Sequence, residues 1–267
     1  MNHLLKKGKN KRYIAIFLSL LLLLVSVPVV SMKLPVRTSG EHPTVFIAGD
    51  STVQTYSEKW KPRAGWGQML PHFFSPEISF KNYAIRGRSS KSFINEGRLD
   101  KILRHIKPND YLLIQFGHND AKKHRDDLYT SVHEYKNYLK LYVNGARARG
   151  AIPILVTPVG RRDFHKETGK FKSSFPEYVK GMKEVAAELD TSLVDLSLLS
   201  IAYYDRIGPK GTLSVFLHIE PGVYKAYPNG AKDDTHFQEY GANQIAYLMA
   251  HAIKDLDVPL SNYVTIK

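Results

Sequence analysis

Beyond residue 43 the hydrophobic positions fall into short apolar runs, separated by longer stretches in which they recur every three or four residues. Residues 44–48 (TVFIA), bounded by Pro43 and Gly49, predict a buried strand with Gly49-Asp50-Ser51-Thr52 as the turn just past its carboxyl end. Residues 78–84 predict a second strand, and Phe93, Ile94, Leu99, Ile102, Leu103 and Ile106 mark one face of a helix after it. Residues 111–116 (YLLIQF) predict a third strand. A helix follows in which Val132, Tyr135, Leu139, Tyr142 and Ala146 share a face and which Gly150 stops. Residues 152–157 and 192–196 predict two more strands, with a helical stripe of Val179, Met182, Val185, Ala186 and Leu189 between them. The final helix shows Ile245, Leu248, Met249, Ala252, Ile253 and Leu256. Such alternation predicts an α/β fold, a parallel sheet with helices on both sides. Residues 160–175 and 208–232 break the pattern and predict loops, the second leading into Asp233-Asp234-Thr235-His236.

The amino terminus follows a different rule. Five basic residues between Lys6 and Arg12 precede residues 13–30, an apolar stretch broken only by Ser19, Ser26 and Pro28. Residues 1–31 therefore predict a targeting segment, either a cleaved signal peptide or a retained membrane anchor. Val29-Val30-Ser31 supplies a small-residue cleavage site, and the apolar length also suits retention. Both readings send the body out of the cytoplasm. Residues 32–43, with two prolines and Thr38-Ser39-Gly40, predict a linker, and residues 44–267 a single domain.

The net charge of +13 changes meaning once it is located. Seven of the 38 basic residues lie between Lys6 and Arg37 in a stretch without an acidic one, so the remainder carries 31 basic against 25 acidic residues. No arginine-rich stripe or nucleic-acid module accompanies it, which argues against nucleic acid as a partner, while a mildly basic surface suits a polyanionic substrate. The chain has no cysteine, which excludes disulfides, thiolate catalysis and thiolate-bound metals.

In an open α/β sheet, ligands gather outside the carboxyl ends of the strands. The segments expected there hold Ser51, then Gly87-Arg88-Ser89-Ser90, then Gly117-His118-Asn119-Asp120, and finally Asp233 and His236. Each alone reads as turn or cap chemistry. Together they supply what acyl transfer needs: a hydroxyl, a base, a carboxylate to orient the base, and donors for the oxyanion. Asp233 and His236 are three apart, so one turn brings the carboxylate to imidazole Nδ1 and leaves Nε2 for Ser51; Asp234 should point elsewhere. The expected donors are the backbone N–H groups of Ser51 and Gly87 and the side-chain amide of Asn119. His118 reads as a turn or supporting residue. No Gly-x-Ser-x-Gly or His-Glu-x-x-His occurs, so neither a nucleophile elbow nor a zinc site is expected.

These four blocks, with Val53 after the first and Phe237 after the last, resemble those of the SGNH or GDSL hydrolases. Gly-Asp-Ser-Thr-Val, Gly-Arg-Ser and Gly-His-Asn-Asp are most similar to the rhamnogalacturonan acetylesterase branch. The resemblance implies a flavodoxin-like three-layer α/β/α fold and no metal or cofactor. It gives Ser51 as nucleophile and first oxyanion donor, Gly87 and Asn119 as the other donors, Asp233 as orienting carboxylate and His236 as base. It implies an exported esterase acting on acetylated, galacturonate-containing pectin. Arg86, Arg88 and Lys91 are then candidates to hold a uronate carboxylate, with a structural ion pair as the alternative for Arg88. Trp60 is a candidate to stack on sugar, as is Tyr56, whereas Trp66 reads as core. Acetylated xylan, the cell's own wall polymer, and an idle carbohydrate-binding role on the same fold are the alternatives.

Overall fold

The computed structural model describes residues 42–266. The expected leader, residues 1–31, and residues 32–41 of the expected linker lie outside them. The described residues form eight strands: β1 (Thr44–Gly49), β2 (Arg63–Ala64), β3 (Ser79–Asn82), β4 (Tyr111–Gln115), β5 (Ile152–Val156), β6 (Leu193–Val194), β7 (Phe216–Ile219) and β8 (Ala231–Gln238). The α-helices are α1 (Trp66–Met69), α2 (Ser90–Asn95), α3 (Arg98–Leu103), α4 (Val132–Arg147), α5 (Pro176–Glu188), α6 (Leu196–Gly211) and α7 (Glu239–Lys254).

Five strands form a parallel sheet in the order β3-β1-β4-β5-β6. Counting only these five, the order is 2-1-3-4-5, the flavodoxin-like arrangement. Side chains alternate across a strand, and the two faces collect separate cores. Val45, Ile47, Leu113 and Val156 pack with Tyr204 of α6 and Ile245 and Met249 of α7. Phe46, Ala48, Leu112 and Ile114 pack with Ile102 of α3, Tyr135 and Tyr142 of α4, and Met182 of α5. Covering both faces is why these strands read as unbroken apolar runs. Each buried Val, Leu, Ile, Phe or Met side chain among them contributes about 1.5–3 kcal/mol.

Three features depart from the sequence pattern. The helix expected over residues 93–106 is two helices, because Gly97 takes a left-handed conformation (φ 67°) between α2 and α3. Helix α6 was not expected, and it bends at Gly208 (φ 69°) ahead of Pro209. Finally, the loop expected over residues 208–232 contains β7 and the start of β8, which join β2 in an antiparallel sheet of order β2-β8-β7. Asp233 and His236 therefore ride on a strand rather than in a loop. The strand is not regular: Phe237 pairs with Phe216 and Asp233 with Leu217, so residues 234–236 bulge out of the ladder.

Candidate active site

The strand order reverses direction between β1 and β4, and the crevice outside their carboxyl ends is where a doubly wound sheet binds ligand. Ser51 lies just past β1, and His118 and Asn119 just past β4. The turn at Ser51 is stapled from several sides. Asp50 Oδ1 accepts from the Thr52 N–H at 2.9 Å and the Thr52 hydroxyl at 2.8 Å. Gln115 Nε2 donates to Thr52 Oγ1 (2.8 Å), and the indole of buried Trp66 donates to Gln115 Oε1 (3.0 Å). Trp66 is thus core, as its position before a helical run suggested. Gly49 is needed for close approach, since a Cβ there would meet Val53 Cγ2 at 2.8 Å and the Gln115 carbonyl oxygen at 3.1 Å.

The bulge in β8 brings the other two groups to this serine. Asp233 Oδ1 accepts from the N–H groups of Thr235 (2.9 Å) and His236 (3.1 Å), holding residues 234–236 in a tight turn. Its second oxygen, Oδ2, lies 2.6 Å from His236 Nδ1, and His236 Nε2 lies 2.9 Å from Ser51 Oγ. A carboxylate only accepts, so Nδ1 carries the imidazole proton and Ser51 donates to Nε2. Asp234 turns away, toward His218 Nε2 (2.8 Å) and Arg162 (3.2 Å). Two arginines of the 160–175 loop clamp the bulge: Arg161 Nε donates to Thr235 Oγ1 at 2.8 Å, and the backbone N–H of Arg162 to the Asp234 carbonyl at 2.9 Å.

The electrostatics suit proton transfer. Burial resists ionisation of Asp233, but the His236 ring and the two backbone N–H groups outweigh it and hold the carboxyl well below its usual range. Burial pushes the His236 imidazole down; the hydrogen bond from Asp233 opposes this and the Arg63 charge reinforces it. A neutral imidazole so held can take a proton from Ser51 Oγ at ordinary pH. Ser51 keeps 8% of its surface exposed, enough to meet a substrate.

The chain is matched by the model of the GDSL-like Lipase/Acylhydrolase family over residues 45–249. It belongs to that family. It is 44% identical over 221 residues to the probable rhamnogalacturonan acetylesterase YesY of Bacillus subtilis, covering 82% of this chain and 96% of that one. It is 40% identical over 233 residues to the rhamnogalacturonan acetylesterase RhgT of the same organism, covering 87% and 96%. Among solved structures it is similar to YxiM of Bacillus subtilis, with a TM-score of 0.70 and 33% identity, covering 82% of this chain and 58% of that longer one. The protein is a carboxylic ester hydrolase with a flavodoxin-like α/β/α fold.

In this GDSL-like hydrolase, a cleft of about 450 Å³ opens at the serine, lined by Ser51, Asn119, His236, Lys122, Arg161 and Phe175 among others. Asn119 is 3% exposed, and its orientation is fixed at both ends of the amide. Nδ2 donates to the Arg88 carbonyl at 3.0 Å, and Oδ1 accepts from the Lys122 ammonium at 2.8 Å. The second Nδ2 hydrogen stays available to a ligand. Gly87, next to Arg88, sits in an exposed turn at φ 75°, and a Cβ there would meet nothing within 4 Å. Backbone conformation, rather than crowding by protein atoms, is what asks for glycine. Asp120 ties the two loops together, its Oδ1 accepting from the Ser90 N–H (3.0 Å), the Ser90 hydroxyl (2.5 Å) and the Thr130 hydroxyl (3.1 Å). His118 lies under the cleft, Nδ1 3.4 Å from Asp50 Oδ2 and its ring edge-on to Phe175 at 4.8 Å.

The expected sugar contacts are placed otherwise. Arg88 binds Glu96 through Nε at 3.0 Å and the Arg86 carbonyl at 2.9 Å, so its guanidinium serves the loop, as in the ion-pair alternative. Lys91 donates to the carbonyls of Asp126 (2.8 Å) and Tyr129 (2.6 Å). Tyr56 is buried and donates to the Ser51 carbonyl at 2.9 Å, leaving no ring face for a sugar. Arg86 stacks on Trp60 at 5.0 Å, and neither lines the cleft. The cations that do are Lys122 and Arg161, with His124 beside them. Arg161 lies in the loop that the sequence marks as basic, whereas nothing local distinguishes Lys122. Among the described residues, no three His, Asp or Glu side chains cluster as a metal site.

Proposed function

We propose that the protein is an exported serine esterase that removes O-acetyl groups from the rhamnogalacturonan backbone of pectin. The observation that carries the mechanism is the hydrogen-bonded line from Ser51 Oγ through His236 to Asp233, at 2.9 and 2.6 Å. Ser51 Oγ attacks the acetyl carbonyl carbon while its proton passes to His236 Nε2, and Asp233 stabilises the imidazolium. The oxyanion is met by the N–H groups of Ser51 and Gly87 and the free hydrogen of Asn119 Nδ2. Collapse breaks the bond to the sugar oxygen, which takes the proton from His236 and leaves as a hydroxyl. Water, deprotonated by His236, then attacks the acetyl-serine, releasing acetate and restoring Ser51.

The substrate is supported by the two Bacillus subtilis relatives that bear the rhamnogalacturonan acetylesterase name, and by Lys122 and Arg161 at the cleft, which suit a uronate carboxylate. Export is supported by the basic and apolar pattern of residues 6–30. The test is acetate release from acetylated rhamnogalacturonan and acetylated xylan side by side, with Ser51→Ala as blank. Release from the pectic polymer, absent in the variant, is expected; release mainly from xylan overturns the substrate, and undiminished release by the variant overturns the mechanism.

A further inference from the structure

Beside the cleft at Ser51 lies a second hollow of about 380 Å³, and the two share Ala121 and Phe175 as a common wall. Phe175 meets His118 on the cleft side and also lines the hollow. Buried Tyr178 and half-buried Val132 contribute to the hollow's base, and Tyr129 and exposed Lys123 to its rim. This base is tied to the catalytic loops, because the Tyr178 hydroxyl donates to the carbonyls of Thr130 (2.7 Å) and Asp120 (3.1 Å), the latter next to Asn119. Exposed Glu177 lines it as well, so the hollow carries one carboxylate besides the Lys123 ammonium. Consecutive lysines diverge here: Lys122 lines the cleft and Lys123 the hollow.

A sugar ring offers apolar C–H faces and a rim of hydroxyls, and a uronate adds a carboxylate. Aromatic faces, one ammonium to pair with a carboxylate, and the carboxylate of exposed Glu177 to accept from sugar hydroxyls match that description, and hollows of a few hundred Å³ are ordinary ligand sites (~300 Å³ upward). We propose that the hollow is a subsite for a uronate residue flanking the acetylated sugar in the same polysaccharide chain, with Tyr129 and Phe175 as ring faces and Lys123 as carboxylate partner. The inference rests on the pectic reading above and adds to it a second point of attachment. The enzyme then reads a stretch of polymer rather than a single acetylated residue.

The test compares the full-length protein with its Lys123→Ala and Tyr129→Ala variants on three substrates: acetylated rhamnogalacturonan oligosaccharides, acetylated xylan oligosaccharides without uronate, and p-nitrophenyl acetate. On the first, KM should rise up to about fivefold for Lys123→Ala and about two- to tenfold for Tyr129→Ala, with kcat kept. On p-nitrophenyl acetate, which fills only the cleft, both variants should match the parent. On the xylan oligosaccharides Lys123→Ala should also match it. An unchanged KM on the pectic oligosaccharides in both variants overturns the subsite, and so does an equal loss on p-nitrophenyl acetate, which assigns these residues to the scaffold. If the parent protein cleaves p-nitrophenyl acetate but releases no acetate from the pectic oligosaccharides, the pectic reading itself fails and takes the subsite with it.

Discussion

His236 holds its imidazole between a carboxylate that raises its hold on a proton and surroundings that lower it, and burial with the Arg63 charge prevails. As the proposed base it acts only when neutral, so the acid limb of kcat/KM should lie below the ordinary histidine range. Arg63→Met removes one of the depressing influences and should move that limb to higher pH, with the alkaline side unchanged; a pH-rate profile on a neutral ester checks this, and an acid limb that stays or falls contradicts it. Asn119 carries the other half of the residue-level account. Asn119→Ala should lower kcat by about 10²- to 10³-fold with little change in KM. The residues that meet at Ser51 were legible because each chemical role demands a particular side chain, although Asp233 and His236 arrive from a bulge in β8 rather than from the expected loop. The cations of the cleft were not, because Arg86, Arg88 and Lys91 are close to Gly87 in sequence while the structure spends Arg88 and Lys91 on Glu96 and on backbone carbonyls.

At the scale of elements, one buried carboxyl joins the Gly87 and Asn119 loops. Burial pushes Asp120 up to about 6, against the hydrogen bonds from Ser90 and Thr130 that favour its charged form. Between the carboxyl's ordinary value of 3.8 and about 6, the folded state binds more protons than the unfolded one. This group therefore makes stability fall as pH rises through that window. Asp120→Asn keeps an acceptor oxygen and cannot titrate. Urea unfolding at the two ends of the window should show the parent losing on the order of 2 kcal/mol, relative to the variant, as pH rises. Equal pH dependence in both contradicts the account. Elements themselves were legible where both faces of a strand are buried, as in β1 and β4. They were illegible in β7 and β8: Phe216–Ile219 spans four residues, and the bulge at 234–236 destroys the two-residue alternation by which a strand is recognised. Helix α6 was hidden for a related reason, since Leu196, Leu199, Tyr203 and Tyr204 carry its inner face while Leu198 is 62% exposed and blurs the stripe.

For the whole molecule, the parallel order β3-β1-β4-β5-β6 explains why Ser51 and Asn119, far apart in sequence, line one cleft. The β1 and β4 ends supply Ser51 and Asn119, and the small antiparallel sheet reaches over to deliver His236 and Asp233. Residues 1–31 add the proposed export, and cell fractionation should find the mature protein outside the cytoplasm; recovery with the cytoplasmic fraction contradicts it. All of this turns on one covalent event at Ser51. The most direct measurement mixes the protein with p-nitrophenyl acetate, quenches in acid within the first turnover, and maps the acetyl group by peptide mass spectrometry. The account predicts an acetyl group on Ser51 that vanishes after turnover and never forms in Ser51→Ala. Acetylation at another residue, or p-nitrophenol release by Ser51→Ala at the parent's rate, contradicts it.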